Sequence, residues 1–224
     1  MILAAGFGTR LLPVTEKIPK ALVEVDGKPM LQLVLQKLIT AGFSNFIINT
    51  HHFSELVQQF ISGNHFNADI KLVSEEKILG TGGGIKNAEK YLKSSGNFLV
   101  HNVDVITDFD IDALYRAHTE NKAIATLAVQ KRKTSRPLLF SAGLRLSGRI
   151  VEGEAETFGA EGKLTEMAFA GVHVLSTEIF NSFPSENEFD IIPVYMSLAA
   201  SSRRIYGFDI VDSQWKDAGK SANK

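Results

Sequence analysis

The apolar run Ile2-Leu3-Ala4-Ala5 leads straight into Gly6-Phe7-Gly8-Thr9-Arg10, and Lys20 follows after Ile18-Pro19. A strand ending in a Gly-x-Gly turn lets backbone N–H groups come close to phosphate oxygens. Arg10 adds a forked donor that suits those oxygens, and Lys20 adds a second positive charge. The chemistry on offer is phosphate binding. It is not a dinucleotide fingerprint, because Leu11 stands where the third glycine belongs, and no G-x-x-x-x-G-K-[ST] loop occurs. Without its surroundings, a lone Gly-x-Gly reads as readily as a solvated surface turn.

Two aspartates are candidates for holding a divalent cation beside such a phosphate. Asp104 closes the apolar strand Leu99-Val100-His101-Asn102-Val103, and ligands of α/β sheets gather outside the carboxyl ends of strands. Asp217 stands in Trp215-Lys216-Asp217-Ala218-Gly219. Mg²⁺ takes few protein ligands and keeps several waters, so two carboxylates plus phosphate oxygens suit it. If the two converge, their charges repel unless a cation lies between them. Each alone also reads as an ordinary turn residue, as Asp108, Asp110 and Asp112 do.

The elements that must carry these residues follow from apolar periodicity. PMLQLVLQKLITAG has Leu31, Val34, Leu35, Leu38 and Ile39 at helical spacing and is closed by Gly42. NFIINT reads as a strand, SELVQQFISG as a helix capped by Ser54, and IKLVSE as a strand. GGIKNAEKYLKSSG reads as a helix with Thr81-Gly82-Gly83-Gly84 as its start loop, followed by the strand NFLVHNVD. Strands separated by helices of roughly 10–15 residues predict βαβ units and a parallel sheet. From Ala123 come longer β-like runs, AIATLAVQKR, LFSAGLRL and FAGVHVLS, then the helical ENEFDIIPVYMSLAAS and the strand RRIYGFDI. No linker divides the chain, so one domain over residues 1–224 is expected. The short opening strand and the unclosed DAGKSANK end predict a chain clipped at both termini.

A chain of 224 residues with 44% hydrophobic and 22% charged content fits a folded globular protein with a substantial core. Lys+Arg 24 against Asp+Glu 25 lacks the basic excess of a nucleic-acid binder. Zero cysteines exclude disulfides, thiolate metal sites and a Cys nucleophile. No segment reaches the ~18 consecutive apolar residues of a membrane span, and the opening has no basic n-region of a signal peptide. The expectation is a cytoplasmic protein without nucleic-acid or membrane partners.

Leu3-Ala4-Ala5-Gly6-Phe7-Gly8-Thr9-Arg10-Leu11-Leu12-Pro13-Val14-Thr15, with Pro19-Lys20, resembles the opening signature of the sugar-1-phosphate nucleotidyltransferases, or nucleotide-sugar pyrophosphorylases. The stretch from Phe169 to Phe180 resembles a later segment of that family, and the similarity runs along nearly the whole chain. It is greatest to short bacterial uridylyl- and guanylyltransferases that lack a C-terminal β-helix. The resemblance implies a three-layer, Rossmann-like α/β fold around a central, mostly parallel mixed sheet. It implies transfer of a nucleotidyl group from a nucleoside triphosphate to a sugar 1-phosphate with Mg²⁺, in a monomer or small homo-oligomer, with uridylyl transfer ahead of guanylyl. Leu3, Ala4, Ala5, Gly6, Gly8, Thr9, Arg10, Gly82 and Gly83 would then contact the nucleotide. Arg10, Lys20 and Asp104 would be catalytic, and Asp104 and Asp217 would carry the metal. Asn49 and His51, at a strand end, would take sugar-side or structural roles. Two adjacent histidines there, His51 and His52, read equally well as a strand end whose side chains point to opposite faces with no shared ligand. Glu166 would hold sugar hydroxyls or be a solvated loop carboxylate, while Gly171, a glycine within a strand, marks a close ligand approach.

The chain departs from the family pattern at Val103, Ala21 and Lys220, where Gly, Pro and Thr are common, and none of these removes a charged catalytic group. Two rival readings stand beside it. A non-catalytic nucleotide-sugar-sensing module would be favoured by loss of Arg10, Lys20 or either aspartate, and all are present. A glycosyltransferase would need a D-x-D metal motif, which Asp108-Phe109-Asp110 and Asp110-Ile111-Asp112 match loosely.

Overall fold

Successive strand side chains point to opposite faces of a sheet, so strands that are apolar at every position demand cover on both sides. The computed structural model describes residues 1–159 and 162–223. Its first half runs β1 (Ile2–Leu3), β2 (Glu24–Val25), β3 (Lys28–Pro29), α1 (Met30–Thr40), β4 (Asn45–Thr50), α2 (Ser54–Ser62) and β5 (Asp69–Ser74). There follow α3 (Gly80–Asn87), α4 (Glu89–Leu92), β6 (Asn97–Asn102), β7 (Val105–Thr107), α5 (Ile111–Glu120) and β8 (Ala125–Gln130). The remainder is β9 (Leu138–Phe140), β10 (Leu146–Val151), β11 (Glu154–Thr157), β12 (Thr165–Ser176), α6 (Ile191–Ala200), β13 (Ile205–Asp209) and β14 (Trp215–Asp217).

Met1, Ile47, Phe98 and Val100 enter one buried cluster together with Ile85 of α3, Leu92 of α4 and Tyr195 of α6. Ile2, Phe46, Ile48 and Leu99 enter the other, with Leu31 and Leu35 of α1, Val57 of α2 and Leu114 of α5. Helices therefore cover both faces, and the three-layer α/β arrangement is present. β6, β1, β4 and β5 pair in parallel, with Ile2 opposite both Ile48 and His101. The sheet is mixed because β12 lies antiparallel to β6, β8 and β9. The antiparallel share is larger than the alternating pattern predicts, since β9 to β11 form a meander rather than crossover units.

Local chemistry explains where element boundaries meet or miss expectation. α1 ends as expected: Gly42 adopts φ +88, Phe43 N–H donates to the Leu38 carbonyl and Gly42 N–H to that of Ile39, a glycine-dependent helix stop. Ser54 does not cap α2. Phe53 holds the capping position in the left-handed region at φ 56, and no side chain caps the helix there. LFSAGLRL is split into β9 and β10 by a turn in which Leu144 N–H donates to the Ser141 carbonyl. α6 starts at Ile191, later than its periodicity suggested.

Three histidines are buried in the interior. His173 Nδ1 and the Tyr195 hydroxyl are hydrogen-bonded at 2.8 Å, and His118 Nδ1 and the Thr126 hydroxyl at 3.1 Å. His101 Nδ1 donates to the Asn102 carbonyl. Burial pushes His101 and His118 down to about 4 and His173 down to about 3. All three stay neutral in the fold, whereas the unfolded chain takes up protons near the ordinary value of about 6.5. Their contribution to stability is therefore complete above about pH 6.5 and is lost as the pH falls from there towards the folded values. In that window each costs up to about 1.4 kcal/mol per pH unit. Urea midpoints should drop clearly between about pH 7 and about pH 5, and His118→Gln should flatten the slope. A midpoint independent of pH would show that these histidines protonate within the fold.

Candidate active site

The glycine turn is anchored before it is shaped. Ala4 N–H donates to Asn49 Oδ1 at 2.7 Å, and Asn49 Nδ2 donates to Glu75 Oε1 at 2.7 Å. The other oxygen of Glu75, which is only 4% exposed, accepts from Leu79 N–H. Asn49 therefore spends its side chain on tying the ends of β1, β4 and β5 together. Gly8 sits at φ +66, and a Cβ there would lie 3.0 Å from both Lys20 Cβ and Thr15 Cγ2. The Thr15 hydroxyl donates to the Gly8 carbonyl at 3.0 Å. Short 3-10 turns at Thr9–Leu11, Val14–Glu16 and Lys20–Leu22 fold the loop back so that Lys20 lies under Gly8. Among the described residues, the N–H groups of Gly6, Phe7 and Gly8 donate to no protein acceptor, which leaves them open to an anion.

Asp104 lies in the turn between β6 and β7. β14 pairs antiparallel with β7, placing Asp217 opposite Val105, and Ala218 N–H donates to the Asp104 carbonyl at 2.8 Å. Gly219 stands between the two carboxylates. A Cβ there would be 2.9 Å from Asp104 Oδ2, 3.1 Å from Asp217 Oδ1 and 3.4 Å from Lys20 Cε. Lys20 Nζ forms an ion pair with Asp104 Oδ2, while Arg10 and Lys220 approach Asp217 Oδ2 at 3.2 and 3.5 Å. The structure thus brings Arg10, Lys20, Asp104 and Asp217 to one point. The cations that the converging carboxylates require are supplied here by the chain itself, so their convergence does not leave them in unrelieved repulsion. Two hard carboxylates bordering one glycine also fit a Mg²⁺ ion that draws its other ligands from phosphate and water. No group of three or more His, Asp or Glu that could enclose a metal occurs among the described residues.

The remaining candidates spread out around this point. Gly171, at φ +78, forms a bulge in β12, and a Cβ there would be 2.8 Å from Val105 Cγ2 and 2.9 Å from Asn102 Nδ2. The close approach it permits is to the Asp104 turn. Glu166 is exposed on the first part of β12, opposite Leu139. Because β12 runs against β6, Glu166 and β9 to β11 extend past the edge where β6 ends. His51 Nδ1 is 2.8 Å from the Glu75 carbonyl and its ring meets Phe7 edge-on; His52 also meets Phe7 edge-on and packs on Phe53.

Gly82 and Gly83 correct the expected start loop: α3 begins at Gly80, and both lie inside the helix. Their N–H groups donate to the Phe189 carbonyl at 2.9 and 3.0 Å, and a Cβ on either would collide with Phe189 or Asn187. Glycine there admits the segment before α6. Two of the three D-x-D aspartates, Asp108 and Asp110, are also committed elsewhere. Asp110 Oδ1 caps α5 by accepting from Ala113 N–H, and Asp108 Oδ1 accepts from Gln214 N–H. Glu75 was missed; its one signal was a carboxylate at the carboxyl end of a strand. A surface concavity of about 780 Å³ is lined by Glu75, Lys77, Leu79, Lys86 and Asn187 and touches none of the four converging charges.

The family model described as nucleotidyl transferase matches residues 1–223. The chain belongs to the nucleotidyl transferase family. It is 31% identical over 211 residues to N-acetylmuramate alpha-1-phosphate uridylyltransferase of Caulobacter vibrioides, covering 91% of this chain and 85% of that protein. It is 28% identical to UTP–glucose-1-phosphate uridylyltransferase of Synechocystis, covering 98% of this chain and 60% of the relative. Mannose-1-phosphate guanylyltransferase of Mycobacterium tuberculosis is 30% identical with the same coverage. The chain thus spans 60% of the length of those two relatives. The crystal structure of HddC from Yersinia pseudotuberculosis shares the fold, with a TM-score of 0.78 at 24% identity over 98% of this chain and 93% of that one.

Proposed function

We propose that this chain is a sugar-1-phosphate nucleotidyltransferase that converts a nucleoside triphosphate and a sugar 1-phosphate to a nucleotide-sugar and pyrophosphate. The observation that carries the reading is the meeting of Arg10, Lys20, Asp104 and Asp217 under a glycine turn with open N–H groups. A sugar 1-phosphate, with a second pKa of about 6, is mostly dianionic at neutral pH. Its oxygen can attack the α-phosphorus without a general base, as the bond to the β-phosphate oxygen breaks and pyrophosphate leaves with that electron pair. The residues then have two tasks, positioning and charge neutralisation. Gly6 to Gly8 offer N–H donors to the phosphates, Arg10 takes the departing β- and γ-phosphates, and Lys20 offsets charge where the bond changes. Asp104 and Asp217 would hold Mg²⁺, which supplies charge neutralisation and orientation at the α-phosphate when bound. Glu166 would face the sugar.

Uridylyl transfer is the first expectation, supported by the Caulobacter relative whose length this chain most nearly matches among those above. Pyrophosphate release from a panel of triphosphates crossed with sugar 1-phosphates tests both the activity and the base. Faster turnover with GTP or dTTP than with UTP overturns the base preference, and no release from any pair overturns the activity. Within that assay Arg10→Ala should raise the KM for triphosphate about tenfold, the lower end for a charged hydrogen bond, because its side chain is 53% exposed and screened. A rise confined to the KM for sugar phosphate would reverse the assignment of the two cations.

A further inference from the structure

Asp217 sits on a strand of three residues whose ladder partner, β7, is equally short. A two-stranded ribbon is marginal by itself, so the aim of Asp217 depends on what else grips β14. Arg132, two residues beyond β8, places its guanidinium carbon 3.8 Å from the centre of the Trp215 ring. One terminal nitrogen of Arg132 donates to the Phe169 carbonyl at 2.8 Å, and Trp215 Nε1 donates to the Ala170 carbonyl at 2.8 Å. Phe169 and Ala170 immediately precede the Gly171 bulge, which packs on Asn102 and Val105 either side of the Asp104 turn. Arg132 and Trp215 therefore fasten the strand bearing Asp217 to the bulge that abuts Asp104. Burial works against the Arg132 charge, and the nearby Asp217 carboxylate supports it.

We propose that Arg132 is a positioning residue that, stacked on Trp215 and bonded to the Phe169 carbonyl, fixes Asp217 opposite Asp104 and so sets how tightly a divalent cation is held. The inference rests on the nucleotidyl transfer proposed above. A guanidinium is needed for this because it stacks flat on an indole while its fork still reaches a carbonyl. An ammonium offers a point charge without the plane.

Trp215 is the only tryptophan of the chain, so its fluorescence reads the clamp directly. In Arg132→Met, which keeps an apolar stem, acrylamide quenching of Trp215 should rise in the protein alone. The Mg²⁺ concentration for half-maximal pyrophosphate release should rise about 10–100-fold, the scale for losing an outer partner of a metal ligand, while kcat at saturating Mg²⁺ falls by less. Arg132→Lys should side with the Met variant in both readouts, and it carries both tests if the Met variant does not fold. Unchanged quenching with unchanged Mg²⁺ dependence overturns the proposal. So does a Lys variant indistinguishable from wild type, since charge alone would then suffice, or an equal loss of kcat at every Mg²⁺ concentration. If wild type releases no pyrophosphate from any substrate pair, the nucleotidyl-transfer reading fails. Titrating Mg²⁺ alone against Trp215 fluorescence in wild type and Arg132→Met then still decides whether Arg132 governs the cation.

Discussion

Asp104→Asn and Asp217→Asn are each expected to lower pyrophosphate release by at least about a thousandfold, since a bound cation supplies several kcal/mol of charge stabilisation. The two carboxylates stand 113 positions apart in the chain, one near its middle and one near its end, yet both border Gly219, where the side chain of any other residue would crowd them. Residues that hold one ion act as a unit, and their losses do not multiply. The double variant should therefore be scarcely worse than either single. EDTA should abolish wild-type turnover and added Mg²⁺ restore it. Relief of repulsion would predict a tighter fold in both variants, but the ion pairs argue otherwise. Lys20 faces Asp104 with only 14% and 13% of the two side chains exposed. Asparagine keeps an acceptor oxygen for Lys20 but not the charge, so Asp104→Asn should lose about 1 kcal/mol, the difference between a charge-assisted and an ordinary hydrogen bond. Full activity in EDTA, or multiplied losses in the double variant, would show that the aspartates share no cation.

What could be read from the residues alone follows from the range of the interaction that decides each feature. α1 was legible because its apolar spacing and Gly42 are local, and the Gly6–Gly8 turn because glycine at a left-handed position serves nearby backbone. The convergence of Lys20 with Asp104 was legible only through family resemblance, since it depends on β6 lying beside β1. Gly82 and Gly83 misled because their need for glycine comes from Phe189 and Asn187, a segment a hundred residues away that no periodicity announces. Ser54 misled because a preferred capping residue competes with the left-handed turn that Phe53 adopts. Glu75 and Arg132 did not stand out for the opposite reason. Each is one charge among many in sequence, and only its burial against Asn49 or its stack on Trp215 distinguishes it.

Lys20→Ala should lower kcat/KM by about 10²–10³, the scale for removing one preorganised donor to developing charge. This exceeds the loss expected at Arg10, and burial is the reason. The Lys20 side chain runs past Gly8 and Gly219 and is only 14% exposed, and an interaction shielded from water is worth more than the same charge at the surface. In the structure the ammonium is neutralised by Asp104, so the residue has a stabilising role as well as a proposed chemical one. The two roles separate by experiment. If Lys20 acts on the reacting phosphates, the loss in Lys20→Ala persists at saturating substrate and Mg²⁺. If it serves only as the partner of Asp104, Mg²⁺ can take over that charge, and both melting temperature and activity should recover as Mg²⁺ is raised. The expected result is a split. Mg²⁺ should raise the melting temperature of Lys20→Ala more than that of wild type, because Asp104 has lost its own cation, while kcat/KM stays at least about tenfold below wild type. A loss smaller than that would mean Lys20 only lines the loop.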